Sequence, residues 1–292
     1  MTPLDLVRLT SVMELTLGSP DMTVGMIDGP VDTGHPDFLA ASAHQISAEK
    51  SASCQASSSP ACAHGTMVAG VLFARRTSAA PAICPNCSLL VRPIFAEQDS
   101  PAGESPSATP EELSEAIVET VNAGARVINL SSGISRPREK GRELLNRALN
   151  FAASRGSIVV VSSGNQSNVG GSCITQHPWV IPVVSCSGDG TTSNESNLGG
   201  AIGRQGLRAP GQDITSLGPQ NTFAKFSGTS AACPFVTGAI ALLWSQYPGF
   251  TAAQIKTAIL GDANRHCVVP PLMNVWEAWR RLDVAANRRR AS

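Results

Sequence analysis

An excess of charge of either sign is missing: 22 basic residues stand against 22 acidic ones, for a formal net charge of zero. The bulk balance therefore encodes neither a basic face for nucleic acid nor one for an anionic membrane surface. Long apolar runs are missing as well. The longest, Ala239 to Trp244, falls far short of the roughly 20 residues needed to cross a bilayer. The opening Met1-Thr2-Pro3-Leu4-Asp5-Leu6-Val7-Arg8 has no basic start, continuous apolar core or small-residue cleavage site, so no secretory signal is read there. The expectation is a cytoplasmic protein with neither nucleic acid nor membrane as a partner.

Metal-ligand spacing is scarce too. Of the eight cysteines only Cys84-Pro85-Asn86-Cys87 is spaced like a ligand pair, and no histidine follows at a matching interval, so no metal is expected. Cys54 with Cys62, Cys84 with Cys87 and Cys173 with Cys186 could each close a short loop. A chain without a secretory signal would instead keep them as thiols. No internal repeat and no low-complexity linker divides the chain. Residues 1–292, 42% hydrophobic and 15% charged, are expected to form one α/β domain around one large core. Residues 1–20 form a helical lead-in, and 286–292 a disordered basic tail.

What is present is an alternation of strands and helices. Thr23-Val24-Gly25-Met26-Ile27 reads as a buried strand cut off by Asp28-Gly29-Pro30. Residues 40–62 carry no clear period and read as an irregular surface segment. Ser88 to Phe95 is a further strand, with Pro93 hinting at an edge or bulge, and a loop from Ala96 to Ala108 follows. Thr109-Pro110-Glu111-Glu112 starts a helix with an N-cap, a first-turn proline and a capping box, and Gly124 stops it. Ala125 to Leu130 returns as a strand. Gly141 to Arg155 is a helix, Ser157 to Val161 and Val180 to Val184 are strands, and Leu207 to Gly211 is a short element. Thr251 to Leu260 and Met273 to Val284 are amphipathic helices. Strand, helix, strand is the pattern of a mainly parallel sheet with helices on both faces.

Four polar residues stand at the ends of these elements. Ser230 follows Gly228-Thr229 at the start of an apolar helix, where a positive dipole end and unpaired N–H groups suit an oxyanion. Asp28 closes the first strand; Asp32 and Asp37 are rival carboxylates in the loop beyond it. Among His35, His44, His64, His177 and His266, only His64 opens an apolar helix, in Ala63-His64-Gly65-Thr66-Met67-Val68-Ala69-Gly70. Asn165 follows a glycine turn after a strand and can point an amide into a cleft. Each alone reads equally well as a cap, a packed imidazole or a turn residue. Together they are the parts of an acyl-transfer site: an acid to orient an imidazole, the imidazole to activate a serine, and an amide for the oxyanion.

In their order, and in Val24 to Asp28, His64 to Gly70, Ser163-Gly164-Asn165 and Gly228-Thr229-Ser230-Ala231-Ala232-Cys233-Pro234, these segments resemble the subtilisin-like serine proteases, the subtilases. The resemblance implies a subtilisin-like fold and an endopeptidase with Asp28, His64 and Ser230 as its triad. It also implies an oxyanion hole of Asn165 and the Ser230 N–H. By the same resemblance Ser131-Ser132-Gly133 pairs with an extended peptide, and Ser162-Ser163-Gly164 forms the opposite wall of the primary pocket. The chemistry requires no cofactor; subtilases often bind calcium through irregular loops, but no run here resembles a regular calcium loop.

Departures from the family pattern are Gly29-Pro30 after the acid, Met67, Cys233 and Phe235, none of which removes a catalytic atom. Asp28-Gly29-Pro30-Val31-Asp32, the following His35-Pro36 and the strand Val91 to Phe95 are more similar to proteases that trim ribosomally made natural-product precursors, such as the cyanobactin maturation proteases. The expected substrate is thus a peptide or protein, and specifically the leader side of such a precursor. The lead before Asp28 is too short for a folded inhibitory pro-domain. A general-purpose subtilase, a peptide-binding pseudoprotease and a peptide macrocyclase are the competing readings.

Overall fold

The computed structural model describes residues 1–291 apart from 47–53, 55–57, 96, 98–107, 132–138 and 262–265. Seven strands form the central sheet: β1 (Thr23–Asp28), β2 (Ser42–Gln45), β3 (Ser88–Pro93), β4 (Val127–Leu130), β5 (Ile158–Ser162), β6 (Ile181–Cys186) and β7 (Leu207–Pro210). Their order is β2-β3-β1-β4-β5-β6-β7 and every pairing is parallel. The order reverses at β1, whose neighbours β3 and β4 lead in opposite directions; such a switch point opens a crevice at the strands' C-terminal ends. Asp28 is the last residue of β1.

Alternation along the strands divides the core between two faces. On β5, Ile158 and Val160 join one cluster and Val159 and Val161 the other. The second cluster is closed by α4 (Pro110–Asn122) and α5 (Glu139–Arg155), through residues such as Leu113, Ile117, Leu145 and Leu149. The first is closed by α3 (Pro60–Phe73), α7 (Thr229–Gln246), α8 (Ala252–Leu260) and α9 (Val275–Ala291). The α7 helix is apolar nearly all round because it runs through this core; Phe235, Ile240 and Leu243 are wholly buried. Short helices α1 (Pro3–Leu6) and α2 (Thr10–Leu15) make the lead-in, and α6 (Gly200–Gln205) precedes β7.

Several sequence expectations are corrected. Within 40–62, Ser42–Gln45 pairs with β3 as an edge strand, largely exposed and held by backbone hydrogen bonds that leave no hydrophobic period. The strand β3 is interior, but its pairing with β2 ends at Val91, and among the described residues Pro93 pairs on one side only, with Asp28. An antiparallel hairpin of β8 (Ile214–Gly218) and β9 (Thr222–Phe226) and the helix α6 carry no strong pattern and were not anticipated. Residues 286–291 are not a disordered tail but the end of α9. There Arg289 lies over the Phe250 ring at 4.1 Å, and the C-terminal arginines suit the negative helix end. Cys54 and Cys62 are joined by a disulfide, so not all the cysteines are thiols; Cys84, Cys87, Cys173 and Cys186 are unbridged. Most of the loop from Ala96 to Ala108 lies outside the described residues. Among the described residues no helix is long and apolar enough to cross a membrane.

Candidate active site

The acid and the imidazole meet because two glycines let α3 approach the end of β1. A Cβ at Gly29 would stand 2.1 Å from the Ala61 carbonyl oxygen, and one at Gly65 would stand 2.4 Å from that of Pro30. Any other residue at 29 or 65 would push the helix away. Glycine after the acid, a departure from the family pattern, is thus a packing requirement of this chain. The helix begins before His64, at Ser59-Pro60, where the Ser59 hydroxyl accepts from the Cys62 N–H. His64 consequently sits in its second turn, not at its opening. The disulfide from Cys62 to Cys54 ties the first turn to the preceding segment.

His64 Nδ1–H donates to Asp28 Oδ1 at 2.7 Å, and the same oxygen accepts from the Gly29 N–H at 2.7 Å. Asp28 is wholly buried and its Oδ2 has no hydrogen-bond partner, whereas the His64 side chain is 28% exposed. This bond fixes the tautomer with Nε2 free to accept a proton. Burial of the ring works to lower its pKa, but the Asp28 charge and hydrogen bond outweigh it and leave the pKa raised.

The amide is held by the residue that precedes the serine. Asn165 Oδ1 accepts from the Thr229 N–H at 2.9 Å and from its hydroxyl at 3.0 Å. Thr229 Oγ1 in turn accepts from the Gly164 N–H at 3.2 Å. Oδ1 is thus occupied, while Nδ2 takes no part in these bonds; the partly exposed Ser230 follows Thr229 in the first turn of α7. Gly228 turns the chain with φ of 112°, and a Cβ there would stand 2.8 Å from Asn165 Nδ2. Behind Ser230, burial above all, with the Asp28 charge adding to it against hydrogen bonding with Ser131, pushes the Cys233 thiol up to about 12, and the thiol donates to the Leu130 carbonyl. No hydrogen bond joins His64 Nε2 to Ser230 Oγ among the described residues; such bonds commonly tighten only when substrate binds.

Ser131 is buried at the end of β4 and its hydroxyl reaches the Ser230 carbonyl at 3.4 Å; Ser132 and Gly133 lie outside the described residues. Ser162 closes β5 and Ser163 follows it, both buried, the Ser163 hydroxyl without a partner among the described residues, and Gly164 takes φ of 98°. The rival carboxylates lie elsewhere. Asp32 accepts from the Gly34 and Gln220 N–H groups, and neither it nor Asp37 bonds to His64. His35 accepts from the Asp37 N–H and contacts the Thr222 carbonyl, and His177 bonds to Asn150, so both are packing residues. Not anticipated from the sequence were Asn129, whose amide donates to Ser131, and Thr237, whose hydroxyl donates to that amide; for Asn129, a polar residue in the middle of an apolar strand was the available signal. Among the described residues, Cys54, Cys62 and Glu97 are the one cluster of metal-ligand type, and the disulfide consumes its thiols.

A carboxylate–imidazole pair at the C-terminal end of a parallel sheet, in a chain that also carries a serine at the start of a core helix, suits the serine hydrolases of α/β architecture. Within that class the sequence decides. The Subtilase family model matches residues 19–280, and the chain belongs to that family.

Subtilisin DY of Bacillus licheniformis is 27% identical over 263 residues, 88% of this chain and 89% of that protein. The thermophilic serine proteinase of Bacillus sp. (strain AK1) is 32% identical over 259 residues, 86% of this chain but 59% of that relative's length. Among solved structures, a mutant of the protease domain of PatA superposes with a TM-score of 0.81 at 29% identity, covering 92% of this chain and 97% of that one. The prenylagaramide maturation protease PagA gives 0.78 at 28% identity, covering 94% and 98%. The protein is a subtilisin-like serine endopeptidase acting on peptide or protein substrates.

Proposed function

We infer that Asp28, His64 and Ser230 form the triad and that the reaction runs through an acyl-enzyme. Its carrying observation is the 2.7 Å bond from His64 Nδ1 to Asp28 Oδ1. The imidazole takes the Ser230 proton as Oγ attacks the scissile carbonyl, and Asp28 stabilises the resulting imidazolium. Asn165 Nδ2 and the Ser230 N–H receive the oxyanion. The same imidazole then protonates the leaving amine, and water enters to release the acid. Ser131 to Gly133 and Ser162 to Gly164 would hold the substrate strand between them. No cofactor is needed for these proton transfers.

The substrate is proposed to be a ribosomally made precursor peptide whose leader is removed. Support comes from the Asp28-Gly29-Pro30 turn, the β3 segment ending at Pro93-Ile94-Phe95, and the likeness to PatA and PagA, the latter titled a maturation protease. Purified protein is expected to react with a fluorophosphonate probe at Ser230 and to cut a leader-bearing precursor at one bond while leaving casein largely intact. Rapid casein digestion would show a general degradative enzyme, and an unlabelled Ser230 in folded protein would show a pseudoprotease.

A further inference from the structure

Ser230 lies in the first turn of α7, and four residues on is Pro234. In a regular helix each carbonyl accepts from the N–H four residues ahead. Proline has no N–H, and its ring crowds the carbonyl four residues back. The carbonyl that loses its helical donor is therefore that of Ser230 itself.

A side chain from the sheet supplies the missing donor. Ser131 Oγ donates to the Ser230 carbonyl at 3.4 Å, Asn129 Nδ2 donates to Ser131 Oγ at 2.7 Å, and Thr237 Oγ1 donates to Asn129 Oδ1 at 2.8 Å. Thr237 and Asn129 are wholly buried and Ser131 is 2% exposed. Alternation puts Val127, Asn129 and Ser131 on one face of β4, the face covered by α7. Apolar residues would be the cheaper filling there, since a buried amide or hydroxyl costs stability unless each group is paired.

The polarity of the chain is fixed by its far end. A serine hydroxyl has one proton. Were Asn129 to offer Oδ1 to Ser131, that proton would be spent on the amide and none would remain for Ser230. Thr237 Oγ1 also lies 3.3 Å from the Cys233 carbonyl, but its shorter bond, 2.8 Å to Asn129 Oδ1, holds the amide with its N–H2 toward Ser131.

We propose that Thr237, Asn129 and Ser131 are positioning residues, a buried relay that holds the Ser230 peptide in place of the hydrogen bond that Pro234 removes. The inference rests on Ser230 being the nucleophile. It assigns the relay control over both Oγ and the Ser230 N–H, where a displacement on the order of 1 Å can cost about 10²-fold in rate.

The test is T237V, which keeps the side-chain shape, removes the proton donor, and lies about 10 Å along the helix from Ser230, out of reach of substrate. With active sites titrated, kcat and the rate of fluorophosphonate labelling are expected to fall about tenfold while KM stays within about twofold, and T237S should restore them. S131A should lower labelling comparably, and adding T237V to it should cost nothing more, because the two act in series. Should T237V not fold, labelling of S131A against wild type carries the comparison. Unchanged labelling and kcat per titrated site in folded T237V or S131A, or strictly additive losses, overturn the relay. Failure of wild-type protein to label overturns the nucleophile itself, and is read separately.

Discussion

His64 is pulled in two directions. Burial disfavours its charged ring, the Asp28 charge and hydrogen bond favour it, and the balance leaves its pKa above the ordinary 6.5. A general base must be neutral, so activity should rise with pH through that raised value. The acid limb of kcat/KM is expected above pH 6.5. In D28N both raising influences are lost: the limb should move down in pH, and kcat should fall by about 10⁴ because the tautomer is no longer held. If Asn165 is the oxyanion donor proposed above, Asn165→Ala should lower kcat about 10²- to 10³-fold with little change in KM. Asp28, Asn165 and Ser230 stand out in the sequence because each lies at a junction that glycine or proline marks: Asp28 before Gly29-Pro30, Asn165 after Gly164, Ser230 after Gly228; His64, within the second turn of α3, has only the following Gly65 to mark it. Asn129 and Thr237 stand in mid-element among apolar neighbours, and the packing of β4 against α7 is what joins them to each other.

At the scale of elements, the N-terminal turn of α3 is held twice, by the close approach at Gly29 and Gly65 and by the disulfide. The bridge spans a sequence separation of 8, for which loop closure corresponds to about 2 to 3 kcal/mol. Excess dithiothreitol should therefore lower the thermal midpoint by roughly 5 °C in scanning calorimetry. An unmoved midpoint would show that the bridge does not form in solution. Buried strands and capped helices were readable from composition: β5 is uninterrupted Ile-Val-Val-Val, and Thr109 with Glu112 announces α4. The edge strand β2 and the β8–β9 hairpin were not. Their residues, Ser42-Ala43-His44-Gln45 and the exposed Thr222 and Phe223, are fixed by partners distant in the chain and carry no burial period of their own.

For the whole molecule, the sheet is the shared wall of two cores. Val159 and Val160 are neighbours in β5 yet face opposite ones. Truncating either to alanine should cost about 2 kcal/mol. If the two cores form one cooperative unit, V159A and V160A should each shift a single unfolding transition, with far-UV circular dichroism and tryptophan fluorescence moving together. Separate transitions would show that the faces unfold independently.

The hairpin ahead of the nucleophile is pinned by the loop behind the acid. Gln220 N–H donates to Asp32, the Thr222 carbonyl meets His35, and the Phe223 ring packs edge-on against that imidazole at 5.5 Å. The segment leaving Asp28 and the segment arriving at Ser230 are thus clasped together, although some two hundred positions separate them along the chain. A designer who grafts a foreign loop between Gly218 and Thr222 would be altering the buckle that sets the spacing of the two ends, and would need to preserve the Gln220 amide and the Thr222 oxygen to keep the catalytic groups in register.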